Sequence, residues 1–111
     1  MLGNNYAYLK YSDGTTAKIT EQTNGVVLVF SPIDVDEDWV CHFVPKQLVA
    51  LQEGSGFAFQ LSNAVYSNVG AKFLFIYDSY IQGWGYNNHT ATNNGISYNS
   101  ARWCLRYVIG V

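Results

Sequence analysis

The chain has 111 residues and a mass of 12.4 kDa, which is enough for one domain and leaves no room for a second. Hydrophobic residues make up 49% and charged residues only 13%, so the polar surface consists mainly of amides and hydroxyls. A net charge of -2 and a pI near 5.4 exclude the basic surface that binds nucleic acid or an anionic membrane.

The first residues, Met1 to Asn5, lack the basic and apolar regions of a signal peptide, and no apolar run approaches the ~20 residues that span a bilayer. We therefore expect a cytoplasmic product. Two cysteines are too few for a disulfide-stapled secreted fold. Because Cys41 and Cys104 each lie in an apolar, alternating run, we expect both to be buried, inert thiols.

Hydrophobic residues recur with period two along the chain, which predicts an all-β fold. The first strand candidate is Asn5 to Tyr11, and Ser12 to Thr15 is a strong turn signal. A strand at about Thr16 to Glu21 follows. Asn24-Gly25 then indicates a type I′ turn.

The continuous apolar run Val26 to Phe30 predicts a strand that is covered on both faces, and Pro32 ends it. After the acidic stretch Asp34 to Asp38, Trp39 to Val44 predicts another strand. Pro45 closes this strand because it has no N–H group for a ladder hydrogen bond.

Leu48 to Leu51 fits either a short strand or one helical turn. Glu53 to Gly56 predicts a hairpin before the strand Phe57 to Ser62. The longest strand candidate is Ala71 to Ile81. Its alternation places Phe73, Phe75 and Tyr77 on one face and Leu74, Ile76 and Asp78 on the other.

Gln82 to Gly95 shows no periodicity and is a long loop by the standards of compact domains. Ile96 to Tyr98 and Arg102 to Val111 supply the last strands. About eight short strands joined by turns predict an antiparallel β-sandwich in one domain, 1–111.

The acidic stretch has carboxylates at alternate positions, as calcium loops do, but Trp39 and Pro45 stand where an EF-hand needs Gly and Glu. We interpret it as a solvated loop, with a weak cation site as the alternative.

His42 alternates with valines and is expected to be hydrogen-bonded on a half-buried strand face. His89 is expected to be a solvated loop residue. Neither has a second ligand nearby, so we predict no metal site within one chain, and a site shared between subunits across a symmetry axis stays open.

No catalytic motif is complete. Gly54-Ser55-Gly56 lacks the spacing of a nucleophile elbow, and Gly83 and Gly85 lack the third glycine of a dinucleotide site. Asp78 is expected to bind a backbone group or an arginine. We therefore predict a protein that is not an enzyme and needs no cofactor.

The loop Gln82 to Gly95 is the strongest functional candidate. Trp84 and Tyr86 stand beside glycines and offer aromatic faces that can cover the C–H faces of sugars, while the neighbouring asparagine amides can donate to and accept from hydroxyls. The alternative is that both rings fold back and plug the end of the domain or contact an adjacent subunit.

Three strands have apolar residues on both faces: Val26 to Phe30, Phe73 to Tyr77 and Trp103 to Ile109. One pair of sheets cannot bury all of them, so we predict a homo-oligomer.

The sequence places Arg102 and Arg106 on one face of the last strand. At least one of them is expected to reach a carboxylate, with Asp78 as a candidate, since a buried guanidinium without a partner is costly.

Three segments, Lys72 to Asp78, Gly95 to Asn99 and the terminal Leu105 to Val111, resemble the C-terminal receptor-binding domains of tailed-bacteriophage tail fibres. The resemblance covers about Ser31 to Val111. It implies a homotrimer on the virion whose distal loops bind a bacterial surface glycan or outer-membrane protein. The His-x-His repeats that hold metal in some such tips are absent from this sequence. The sequence departs from the resemblance at its start. Such domains end a long fibre, whereas this sequence begins with Met1 immediately before a predicted strand.

The resemblance assigns receptor contact to the variable loop, and the candidate contacts are Trp84, Tyr86, Asn87, Asn88, His89, Asn93 and Asn94. Two other hypotheses remain open. The chain is a structural trimerisation domain that closes a fibre without a ligand of its own, or it is a monomeric lectin.

Overall fold

The computed structural model describes residues 16–19, 21–35, 37–63, 69–83, 87 and 90–111. In chain order the elements are β1 (Thr16–Lys18), β2 (Gly25–Pro32), β3 (Val40–Pro45), α1 (Lys46–Leu51), β4 (Ser55–Leu61), β5 (Gly70–Ile76), β6 (Tyr80–Gly83), β7 (Thr90–Asn93), β8 (Ile96–Asn99), a 3₁₀ turn (Ser100–Arg102) and β9 (Trp103–Gly110). The predicted strand Asn5 to Tyr11 and the turn after it lie outside the described residues.

The strands form three sheets. A four-stranded sheet has the order β1-β6-β5-β4, a three-stranded sheet has the order β3-β2-β9, and β7 and β8 form a two-stranded hairpin. All named strand pairs are antiparallel, which confirms the all-β prediction. Buried side chains from both larger sheets meet in one hydrophobic core, with Leu28, Phe30, Leu74, Ile76 and Trp103 among them.

The central strand of the three-stranded sheet is β2, and the prediction that Val26 to Phe30 form a strand is confirmed. β2 pairs with β3 on one side and β9 on the other. Val26, Leu28 and Phe30 are fully buried on the core face, and Val29 is buried on the opposite face. Pro32 is the last residue of the strand, as predicted from its missing N–H group.

The segment between β3 and β4 is helical. Leu48 to Leu51 belongs to α1, so the helical alternative is the correct one. The hairpin predicted at Glu53 to Gly56 is wrong, because β3 and β4 lie in different sheets. The turn instead joins α1 to β4, and Gly54 adopts a φ of 80° there, a value that favours glycine.

Ala71 to Ile81 is not a single strand. The chain reverses at Asp78 and Ser79, so that Ile76 pairs with Ile81 across an antiparallel hairpin. The Tyr77 N–H donates to the Tyr80 carbonyl at 2.9 Å, and the two tyrosine rings stack with centroids 4.4 Å apart. The predicted alternation within β5 is confirmed, because its residues are alternately buried and half-buried.

The two Asn-Gly pairs play different parts. No hairpin forms at Asn24-Gly25, because β1 pairs with β6 and Gly25 is itself part of β2. Asn94 and Gly95 have φ values of 53° and 78° and connect β7 to β8, with Asn93 paired to Ile96. Positive φ at both central residues is what a two-residue type I′ hairpin turn requires.

Candidate functional site

Of the seven predicted receptor contacts, the described residues include Asn87, Asn93 and Asn94. The other four, Trp84, Tyr86, Asn88 and His89, lie outside them. Asn93 is the last residue of β7, and Asn94 is exposed in the turn that follows. The predicted loop Gln82 to Gly95 is therefore partly strand, since it contains the end of β6 and the whole of β7.

The β7–β8 hairpin exposes a neutral, polar surface. Thr90, Thr92 and Asn94 are exposed, and residues 90–99 include no charged side chain. The Asn99 N–H donates to the Val69 carbonyl at 2.7 Å, which joins the second hairpin strand to the residue just before β5. The exposed hydroxyls and amide can each donate and accept hydrogen bonds.

Asn87 is fully buried and is not a surface contact, contrary to its place among the predicted receptor residues. Its Oδ1 accepts from the Phe73 N–H at 2.6 Å, and its Nδ2 donates to the Phe73 carbonyl at 3.1 Å. The side-chain amide therefore pairs with both backbone groups of one β5 residue, as a neighbouring strand would do. Asn87 fixes the loop to β5.

Lys72 lies on the core face of β5 and is fully buried. Its Nζ donates to the Asn87 carbonyl at 2.9 Å and to the Ser100 carbonyl at 2.8 Å. Desolvation by burial lowers the pKa of Lys72 to about 7, and the interaction with Cys104 opposes that shift. Nothing in the sequence distinguishes this lysine from a surface lysine except its position on the face that Leu74 and Ile76 share.

Together Lys72, Asn87 and Ser100 form a buried polar cluster at the base of the hairpin. The Ser100 hydroxyl also accepts from the Ala71 N–H at 3.1 Å. Asn87 precedes β7 and Ser100 follows β8, so the cluster holds the β7–β8 segment to β5 at both of its ends. A satisfied buried network of this kind rigidifies the surface it supports.

The two arginines of the C-terminal region have different partners. Arg102 pairs with the exposed carboxylate of Asp34, which confirms that at least one arginine reaches a carboxylate. Arg106 is buried and donates to the Ser31 hydroxyl and to the Pro32 carbonyl. The prediction that Arg102 and Arg106 share one face of the last strand is wrong, because Arg102 belongs to the 3₁₀ turn. Asp78 instead lies 3.7 Å from the Lys46 ammonium.

The two cysteines and His42 differ in how deeply they are buried. Cys104 is buried and Cys41 is exposed, and neither forms a disulfide. The prediction of burial is therefore wrong for Cys41. His42 is half-buried as predicted, with its ring 5.1 Å from that of Phe59, but its buried Nε2 has no hydrogen-bond partner among the described residues.

Within the described ranges, no three His, Cys, Asp or Glu side chains lie close enough together to hold a metal ion. In the same ranges, no helix has the length and hydropathy of a membrane span. Comparisons with protein-family models, with curated proteins and with solved structures find no match to this chain.

Proposed function

We propose that this chain is a non-enzymatic recognition module, a β-sandwich that assembles as a homotrimer at the tip of a bacteriophage tail fibre. It is made in the host cytoplasm, becomes part of the virion, and binds a glycan or an outer-membrane protein on a bacterial surface. The observation that supports this proposal most strongly is the exposed β7–β8 hairpin, which is held at both ends by the buried polar cluster.

The chemistry of the hairpin suits a neutral, hydroxyl-rich ligand. Thr90, Thr92 and Asn94 offer hydroxyl and amide groups without a charge that would select an ionic ligand. Because Lys72 and Asn87 fix the segment before a ligand arrives, less conformational entropy is lost on binding. Trp84 and Tyr86 precede Asn87 by three residues and one residue, and we assign to them the stacking contacts with sugar rings.

Binding of the purified chain to a glycan array and to a panel of bacterial strains tests the proposal. We expect Trp84→Ala, Tyr86→Ala and Thr92→Ala each to weaken binding at least tenfold while the mass in solution stays unchanged. Thr16→Ala is the matched control, because Thr16 is also an exposed strand threonine but lies in β1. Binding that all four variants retain equally would contradict the proposal.

A second candidate function is a structural domain that trimerises and closes the end of a fibre without a ligand. The large apolar side chains exposed on the three-stranded sheet favour it, since Phe43 is 53% and Ile109 is 45% exposed. In that case Trp84→Ala and Tyr86→Ala would cause dissociation or misfolding, and the wild-type chain would bind no cell or glycan in the same assays.

A further inference from the structure

One side of the three-stranded sheet faces away from the core and is apolar. Val27 on β2 pairs with Phe43 on β3 and with Ile109 on β9, and Val29 pairs with Cys41 and Tyr107. Cross-strand partners project to the same side of a sheet. These side chains therefore form two parallel rows, which we call the outer face: Val27, Val29, Cys41, Phe43, Tyr107 and Ile109.

Part of the outer face is accessible to solvent, whereas Val29 is buried and Val27 and Tyr107 are half-buried. Phe43 is 53% exposed, Ile109 is 45% exposed and Cys41 is also exposed. Trp39, which is 54% exposed, extends the face by packing edge-on against Tyr107 with ring centroids 5.7 Å apart. No residue of the outer face is charged.

The Phe43 ring packs over Gly25 although it is half exposed. A Cβ built on Gly25 would lie 2.8 Å from the Phe43 ring, so the ring occupies space that a larger residue at position 25 would need. An aromatic side chain has only two side-chain torsions to order, so it loses little conformational entropy when a partner covers it. Phe43 therefore has the properties of an interface anchor.

The exposed apolar area of the outer face can be compared with the area that a standard interface takes from each partner. Aromatic side chains offer about 150–250 Å² each, so the exposed parts of Phe43 and Trp39, with the smaller contributions of the other outer-face residues, amount to roughly 400 Å². A standard interface takes about 800 Å² from each partner and has an apolar centre with a polar rim. The outer face is thus large enough to be the centre of such an interface.

We infer that the outer face is the surface through which copies of this chain pack against one another. The inference rests on the proposed assembly and assigns it to particular residues. A second copy is the occupant that fits best, because permanent homo-oligomer interfaces are more apolar than transient ones and this face is free of charge. The apolar groove of about 320 Å³ beside Phe73 and Phe75 fits less well, since both rings are half-buried.

Sedimentation velocity of three arginine variants tests the inference. Phe43→Arg and Ile109→Arg place a charge at the centre of the outer face, and we expect each to weaken self-association at least 100-fold. Leu51→Arg is the matched control, because Leu51 is 82% exposed but lies in α1. We expect this control to keep the wild-type mass. Circular dichroism establishes that the variants are folded.

The outcomes separate the inference from the proposed assembly. A wild-type oligomer that keeps its mass in folded Phe43→Arg and Ile109→Arg would overturn the inference while leaving the assembly intact. A wild-type chain of 12.4 kDa at all concentrations would overturn both.

A second measurement needs no charged substitution in the outer face. Cys104 is buried and Cys41 is exposed, so N-ethylmaleimide should label Cys41 first in the monomer. We expect labelling of Cys41 to slow at least tenfold as the protein concentration rises through the association range, with Cys41→Ser identifying the site. Equal labelling rates in the oligomer and the monomer would overturn the inference even if the arginine variants failed to fold.

Discussion

Lys72 provides the sharpest test of the buried polar cluster, and the substitution to examine is Lys72→Met. Methionine fills similar space without a charge, but it removes the donor that the Asn87 and Ser100 carbonyls share. The loss of that donor and the relief of a buried ammonium act in opposite directions on the free energy of unfolding. The informative quantity is therefore the pH dependence of the difference between wild type and variant.

Burial lowers the pKa of Lys72 from 10.5 to about 7, so the unfolded chain holds this proton more tightly than the folded chain. Below pH 7 both states are protonated, and the folded state bears the full cost of the buried charge. Between pH 7 and 10.5 the unfolded state keeps a proton that the folded state has released, so stability rises with pH. Above 10.5 the effect is complete.

The full difference in pKa corresponds to roughly 5 kcal/mol, at about 1.36 kcal/mol per pH unit. Over the accessible range from pH 7 to 9, we expect the wild type to gain about 2 kcal/mol relative to Lys72→Met. Urea titrations followed by tryptophan fluorescence at a fixed protomer concentration measure this gain, and groups common to both proteins cancel in the difference. Parallel pH profiles for the two proteins would refute the burial of an ionisable Lys72.

Two further pairs of variants test the packing around the cluster and the C-terminal strand. Arg106→Met should lower the free energy of unfolding by about 2–4 kcal/mol, because it leaves buried acceptors without donors. Arg102→Met removes an exposed ion pair and should lower that free energy by under about 1 kcal/mol. Equal losses for the two variants in urea titrations would contradict this expectation. Gly70→Ala should cost about 3 kcal/mol, because its Cβ would lie 2.6 Å from the buried Trp103 ring and 3.1 Å from the Asn99 carbonyl oxygen. A Cβ at Gly95 would meet no atom within 4 Å, so Gly95→Ala bears only the cost of a positive φ, about 1 kcal/mol. Thermal melts compare the two variants. If Gly95→Ala were the less stable one, the close packing of Gly70 against Trp103 would be contradicted.

Hydrophobic periodicity predicts most of the strands, because burial on one face requires it. The strands β2, β3 and β9 and the alternation within β5 follow directly from the sequence. Periodicity alone does not show where a long apolar segment reverses. Strict alternation would place Ile76 and Ile81 on opposite faces, but the turn at Asp78 and Ser79 makes them cross-strand partners.

The Asn-Gly signal illustrates why local chemistry is not sufficient. Asn94-Gly95 forms a type I′ turn because the strands on either side of it pair with each other. Asn24-Gly25 has the same two residues, but the strand before it pairs with β6 and the strand after it pairs with β3 and β9. Tertiary pairing decides which of the two becomes a hairpin.

The sequence predicts exposed residues in the candidate segment but not how that segment is held, and its role in binding stays a prediction. The unusual composition of residues 82–95 indicates an exposed functional segment, and Asn94 is indeed exposed. The buried roles of Lys72 and Asn87 could not be predicted, because they depend on backbone carbonyls that only the folded chain brings together. A lysine at an apolar position of a strand pattern was the one available signal.

The equilibrium mass of the wild-type chain in solution tests the central claim most directly. Because the exposed apolar side chains of the three-stranded sheet require a cover, sedimentation equilibrium should give a multiple of 12.4 kDa, about 37 kDa for the proposed trimer. A mass of 12.4 kDa at every concentration, with the chain folded and soluble, would contradict the account.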